Sequence, residues 1–239
     1  MGKAGTMRAL GRVVLVGLLV IVESHRGWAQ ETREQFWPEL DAYVRLSPAT
    51  RLFFLAAPVR EDDQFQESQV GAHIEFGLAP IRRRPDRGLY DQDRLQFLRL
   101  RAGIRRTFSL SGDERELSET RVVVEATPRA FLPWHILMAI RNRLDFRWIE
   151  DQGYSWRYRP RLWLEREFGV AGIALVPYGS LEAFWDSRYD AWSRSRYQFG
   201  MAVPITTWFV PEAYYSRQID TSPERSYTNA LGIVTTFYF

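Results

Sequence analysis

The sequence predicts an all-β protein: a single antiparallel up-and-down transmembrane β-barrel of about 12 strands, with 10 as the alternative. Three observations predict it. Beyond residue 30, the chain of 239 residues divides into alternating apolar and polar segments of roughly ten residues. The final segment, YTNALGIVTTFYF, puts Phe239, Phe237, Thr235, Ile233 and Leu231 on one greasy face, with no later segment to cover it. The first 29 residues read as an export signal.

That signal has three parts. Lys3, Arg8 and Arg12 form a basic start, VVLVGLLVIV (13–22) an apolar run, and 24–29 a short polar stretch with Gly27 and Ala29 at the small-residue positions of a cleavage site. The run is too short to span a bilayer as a helix. Residues 1–29 are therefore expected to be a cleavable signal peptide and 30–239 the barrel domain. The whole chain carries 32 basic and 29 acidic side chains. Lys3, Arg8, Arg12, Arg26 and Glu23 leave with the signal, so 28 arginines face 28 carboxylates in the remainder. The basic excess belongs to the leader and gives no support to nucleic-acid binding. With no cysteine, a disulfide scaffold, a thiol nucleophile and a zinc–thiolate site are excluded.

Taken in order, eleven segments alternate: 36–46, 51–59, 70–81, 95–108, 119–126, 135–148, 155–168, 173–185, 194–203, 208–218 and 227–239. The clearest is 155–168, where Trp156, Tyr158, Leu162 and Leu164 oppose Arg157, Arg159, Arg161, Glu165 and Glu167. Turns are expected at 47–50, 128–133, 169–172 and 204–207, and longer polar loops at 61–68, 109–117, 186–193 and 220–225. Bacterial single-chain barrels have even strand numbers, and the charged linker 82–94 falls where a short turn is expected. Either one strand near that linker is unread, giving 12, or the first segment stands outside the barrel, giving 10.

The alternative all-β fold is a soluble sandwich, in which the apolar face is the core. In a membrane barrel the faces swap: apolar side chains meet lipid and charged ones line the lumen. The export signal favours the swap. So do the expected alternation of short and long connections and the aromatics near strand ends: Trp37, Trp148, Trp156, Trp185, Trp208, Phe237 and Phe239. The expected location is the cell outer membrane of a Gram-negative bacterium.

The stretch LVPYGSLEAFWDSRYDAWSRSRYQFGMAVP (175–204) resembles the bacterial outer-membrane barrels catalogued as a domain of unknown function (number 2490). RNRLDFRW (141–148), SWRYRPRLWLERE (155–167) and the closing LGIVTTFYF extend the likeness over the chain that follows the signal. The resemblance implies fold and location; it carries no catalytic motif and no substrate. Likeness to outer-membrane proteins in general implies that Phe237 and Phe239 form the signal read by the barrel-assembly machinery. Lipid and lipopolysaccharide are the surrounding partners it implies.

On this face assignment Arg99, Arg101, Arg105, Arg141, Arg143, Arg147, Arg157, Arg159, Arg161, Arg194 and Arg196 point into the lumen. Glu39, Asp41, Glu75, Glu119, Glu125, Asp145, Glu165, Glu167, Glu182 and Glu212 join them. Two readings stay open: a mutually neutralising network that fills the barrel, or a narrow passive channel that prefers small anionic solutes. An enzyme acting on lipid or lipopolysaccharide is the alternative class. His73 and Glu75 share a face, with Ser68 or Ser180 as remote nucleophiles, but no G-x-S-x-G elbow is present. His135, beside Trp134, reads as interfacial. The acidic clusters 61–63 and 113–116 lack the ligand spacing of a calcium loop, so no metal and no cofactor is assigned.

Overall fold

The computed structural model describes residues 32–80, 96–110, 118–222 and 224–239. Residues 1–29, expected to be a signal peptide, the charged linker at 82–94 and the acidic cluster 113–116 lie outside them. The described chain is all-β. Its strands are β1 (Thr32–Arg45), β2 (Thr50–Glu61), β3 (Gln64–Pro80), β4 (Gln96–Ser109), β5 (Glu119–Leu132) and β6 (Ile136–Ile149). Then come β7 (Gly153–Glu165), β8 (Phe168–Val170), β9 (Ile173–Asp186), β10 (Ala191–Ala202), β11 (Phe209–Asp220) and β12 (Ser226–Tyr238).

Eleven of these strands close into a barrel, and the short β8 pairs with β9 outside the ring. This corrects the expected count of 12 or 10. The expectation of antiparallel pairing holds at every seam of the ring but one. An odd number of alternating strands brings the first and last into the same direction, so β1 and β12 run parallel, from Thr32↔Tyr227 to Tyr43↔Tyr238. The last residue locks that seam: Phe239 N donates to the Tyr43 carbonyl at 2.8 Å, and Arg45 N to the Phe239 carbonyl at 2.8 Å.

Alternation sets the two faces, because successive strand residues point to opposite sides. Along β6, Arg143, Asp145 and Arg147 are buried, while Ile140 and Trp148 are exposed. Along β12, Ala230 and Val234 are buried, while Leu231 is 63% exposed. Phe199, Ile104 and Leu181 likewise face outward. The usual arrangement is thus inverted, with charge inside and large apolar side chains outside.

Several expected turns move. The acidic stretch 61–68 is almost entirely strand; the β2–β3 turn is Asp62–Asp63 alone, with φ of 48° and 66°. Aspartate tolerates this left-handed region, which two-residue hairpin turns require. The expected turn at 128–133 is instead the end of β5, and the chain reverses through a 3₁₀ turn at Pro133–His135. Pro128 sits inside the strand because it interrupts only one ladder: β5–β6 pairing lapses after Ala126↔Asn142 and resumes at Arg129↔Ala139. Pro38 and Pro58 mark a similar lapse between β1 and β2, where pairing is missing between Leu40↔Ala56 and Phe36↔Arg60. The loop expected at 186–193 is also short, since β10 begins at Ala191. The proposed alternation of short and long connections therefore fails among the described residues. Local turn chemistry lets these hairpins close tightly at both ends.

Candidate functional site

Inside the barrel is a cavity of about 1100 Å³. Sixteen arginines and eleven carboxylates line it among the described residues. Of the predicted lining residues, Arg99, Arg101, Arg105, Arg141, Arg143, Arg147, Arg157, Arg159, Arg161, Glu165, Glu182, Arg194 and Arg196 are all on this wall. Glu167 is not. β7 ends at Glu165, so the alternation that assigned Glu167 to the interior no longer applies there. Trp37, expected at an outer girdle, is also corrected: it shares the inward parity of Glu39 and Asp41 and faces the cavity.

The charged wall follows the strands from β2 to β9. Glu75 accepts from Arg51 Nε at 2.7 Å and from Arg101 Nη2 at 2.6 Å. Arg101 lies 3.7 Å from Glu125, and Glu125 lies 3.6 Å from Arg141. Arg141 pairs with Glu182, which also holds Arg159 at 2.9 Å. Arg159 reaches Asp145 at 3.3 Å, and Asp145 pairs with Arg143. Asp145, Arg143 and Glu182 are each at most 1% exposed. Charges this deep persist only when paired, because desolvation of an isolated ion far exceeds what a fold tolerates. A second cluster adjoins it near the β9–β10 turn, where Asp186 binds Arg147, Arg157 and Arg188 at 3.0, 2.7 and 3.0 Å.

The other wall is aromatic. Tyr178, Tyr214 and Val234 pack together, with Trp37 and Trp163 against them. Trp163 stacks on Tyr178 with ring centroids 3.9 Å apart, and the Tyr178 hydroxyl donates to Glu212. Glycine makes room for these rings. A Cβ on Gly232 would meet the Tyr214 ring at 2.0 Å, and one on Gly200 would meet the Tyr178 hydroxyl at 2.6 Å. This cluster was not predicted as a unit. Its signal was present in the inward parity of Tyr178 and in two glycines within otherwise well-formed strands.

The candidate catalytic set does not assemble. His73 is buried and stacks on Phe53, and its Nε2 accepts from Arg105 Nε at 3.2 Å. Glu75 is occupied by arginines. Ser180 Oγ accepts from Arg161 Nε at 3.1 Å, and Ser68 lies near the barrel's end. None of the three makes a described hydrogen bond to His73. His135 is exposed in the Pro133–His135 turn. Phe237 and Phe239 stack at 6.3 Å, and Phe209 and Trp208 extend the outer cluster.

No family model, no curated protein and no solved structure matches this chain. The reading of function accordingly rests on the barrel's own chemistry.

Proposed function

We propose that this chain is an integral outer-membrane β-barrel, exported by residues 1–29, whose arginine-rich interior forms a narrow passive channel for small anionic solutes. The observation that carries the channel reading is the cavity wall, where sixteen arginines face eleven carboxylates, or thirteen once the buried Asp145 and Asp186 that pair with wall arginines are counted. Such a wall raises the local concentration of anions and repels cations. The apolar outer face supports the membrane reading, because contiguous exposed apolar surface of this extent marks a partner or a bilayer. Outward aromatics near both ends fit interfacial girdles: Trp148, Tyr154 and Trp192 at one, Trp134, Trp208 and Phe239 at the other. Membership of the domain-of-unknown-function family named above, insertion through the barrel-assembly machinery by way of Phe237 and Phe239, and contact with lipopolysaccharide belong to the same proposal.

A second reading has its own observation. The ion-pair chain from Arg51 to Asp145 braces neighbouring strands, as a purely structural barrel would need. Planar-bilayer recording separates the two. Single-channel steps with an anion-selective reversal potential are expected. Absence of steps removes the channel and leaves the structural barrel; cation selectivity overturns the role given to the arginines.

A further inference from the structure

We infer that the barrel interior holds a binding site for a small oxyanion, inorganic phosphate being the simplest, between Arg161 and Arg196. The two residues stand opposite the same partner: Arg161↔Glu182 in the β7–β9 ladder and Arg196↔Glu182 in the β9–β10 ladder. They therefore occupy one height on the strands flanking β9, two strand spacings or roughly 10 Å apart at the backbone.

Most guanidiniums on the charged wall are matched by a carboxylate. These two are served mainly by neutral groups. Arg161 donates to Ser180 Oγ at 3.1 Å and to Gln198 Oε1 at 2.7 Å, and no carboxylate takes a described hydrogen bond from it. Arg196 donates to Gln218 Oε1 at 2.6 and 3.2 Å. Its nearest paired carboxylate oxygen, on Glu182, is 4.0 Å away, and Glu182 is already held by Arg141 and Arg159. These two guanidiniums thus keep positive charge that no close carboxylate pair takes up.

The donors are also held in place. The Arg161 guanidinium lies over the Trp163 ring at 4.5 Å, and that of Arg196 over Trp37 at 4.9 Å. Gln198, nearly buried, accepts from Arg161 through its oxygen, which leaves its amide N–H groups as further donors. A ligand that fits must be negative and rich in acceptors, which describes a phosphate-type oxyanion. Stacked and hydrogen-bonded side chains lose little further freedom when it binds. The inference rests on the channel reading only for the anion's route inward; occupancy of the site does not require passage.

The test is calorimetric titration of sodium phosphate into the folded, purified barrel in non-ionic detergent, at ionic strength held constant with sodium chloride. Saturable binding is expected, weakened at least about tenfold by Arg161→Gln or Arg196→Gln, as loss of a charge-assisted fork implies. Arg60→Gln, which removes a pair with Asp63 away from the cavity, should leave binding unchanged. Gln198→Glu keeps the site independent of folding defects. It places a carboxylate on Arg161, so the barrel should remain folded while phosphate binding is lost. Absence of saturable heat in the unaltered protein overturns the site, as does binding that survives Gln198→Glu and both arginine substitutions. A barrel that binds phosphate without conducting removes the channel and keeps this site; one that conducts without saturable binding does the reverse.

Discussion

Leu231→Arg tests the inverted arrangement directly. Leu231 points outward from β12 and is 63% exposed. It is five residues from Ser226 and seven from Tyr238 along the strand. With a rise of about 3.4 Å per residue and a tilt of about 45°, it sits about 12 Å and about 17 Å from the two strand ends along the barrel normal. Within an apolar band about 25 Å tall, that is close to the midplane. Arginine there is expected to cost about 2–4 kcal/mol in a bilayer. The unfolding equilibrium constant would rise by roughly 30- to 700-fold, at about 1.4 kcal/mol per tenfold. On a water-exposed surface the same change is worth within about 0.5 kcal/mol. Ile205→Arg, in the turn between β10 and β11 and also exposed, should cost no more than about 1 kcal/mol, because the penalty fades at the interface. Urea unfolding in phospholipid vesicles, followed by tryptophan fluorescence, measures both. Equal and negligible effects at the two sites would refute the placement of this face in lipid.

Three other outcomes follow from the interior and the closing seam. Glu182→Gln removes the carboxylate shared by Arg141 and Arg159 at a site 1% exposed, so it should destabilise the barrel by about 3–5 kcal/mol in the same unfolding assay. A change below about 1 kcal/mol would mean that cavity water solvates those guanidiniums well enough alone. Gly232→Val drives a side chain into the Tyr214 ring, so Tyr214 must leave the aromatic cluster; the near-ultraviolet circular dichroism should fall, and an unchanged spectrum would contradict the packing described. Deleting Phe239 removes both hydrogen bonds that tie the chain end to β1. Slower insertion, seen as delayed appearance of the heat-modifiable band on electrophoresis, is expected, and wild-type kinetics would count against a role for that residue in closure.

Most of the barrel was legible because its signal is local. Alternation needs only neighbouring residues, so the inward course of Arg141–Arg147 and of Arg157–Arg161 could be read without any knowledge of strand partners. Glu167 and Trp37 show the limits. Glu167 reads as inward only if the period continues past the end of β7, and Trp37 reads as a girdle residue by its place near a strand end although its parity matches Glu39. Acidic and proline residues read as breaks from sequence alone, which puts a loop at 61–68 and a turn at 128–133 where the structure has mostly strand. Their actual tolerance depends on which ladder loses a hydrogen bond.

The sequence by itself determined the all-β character, the two faces and the inward arginines, since each follows from period-two spacing along one strand. Closure was decided only in three dimensions. Whether the ring holds ten, eleven or twelve strands depends on which edges meet, and the parallel β1–β12 seam has no signature in either strand alone. The same is true of the interior chemistry. Arg159 and Arg161 look equivalent in the sequence, yet one is matched by Glu182 and Asp145 while the other faces Ser180 and Gln198. Register across strands, set by backbone hydrogen bonds between distant segments, makes that difference.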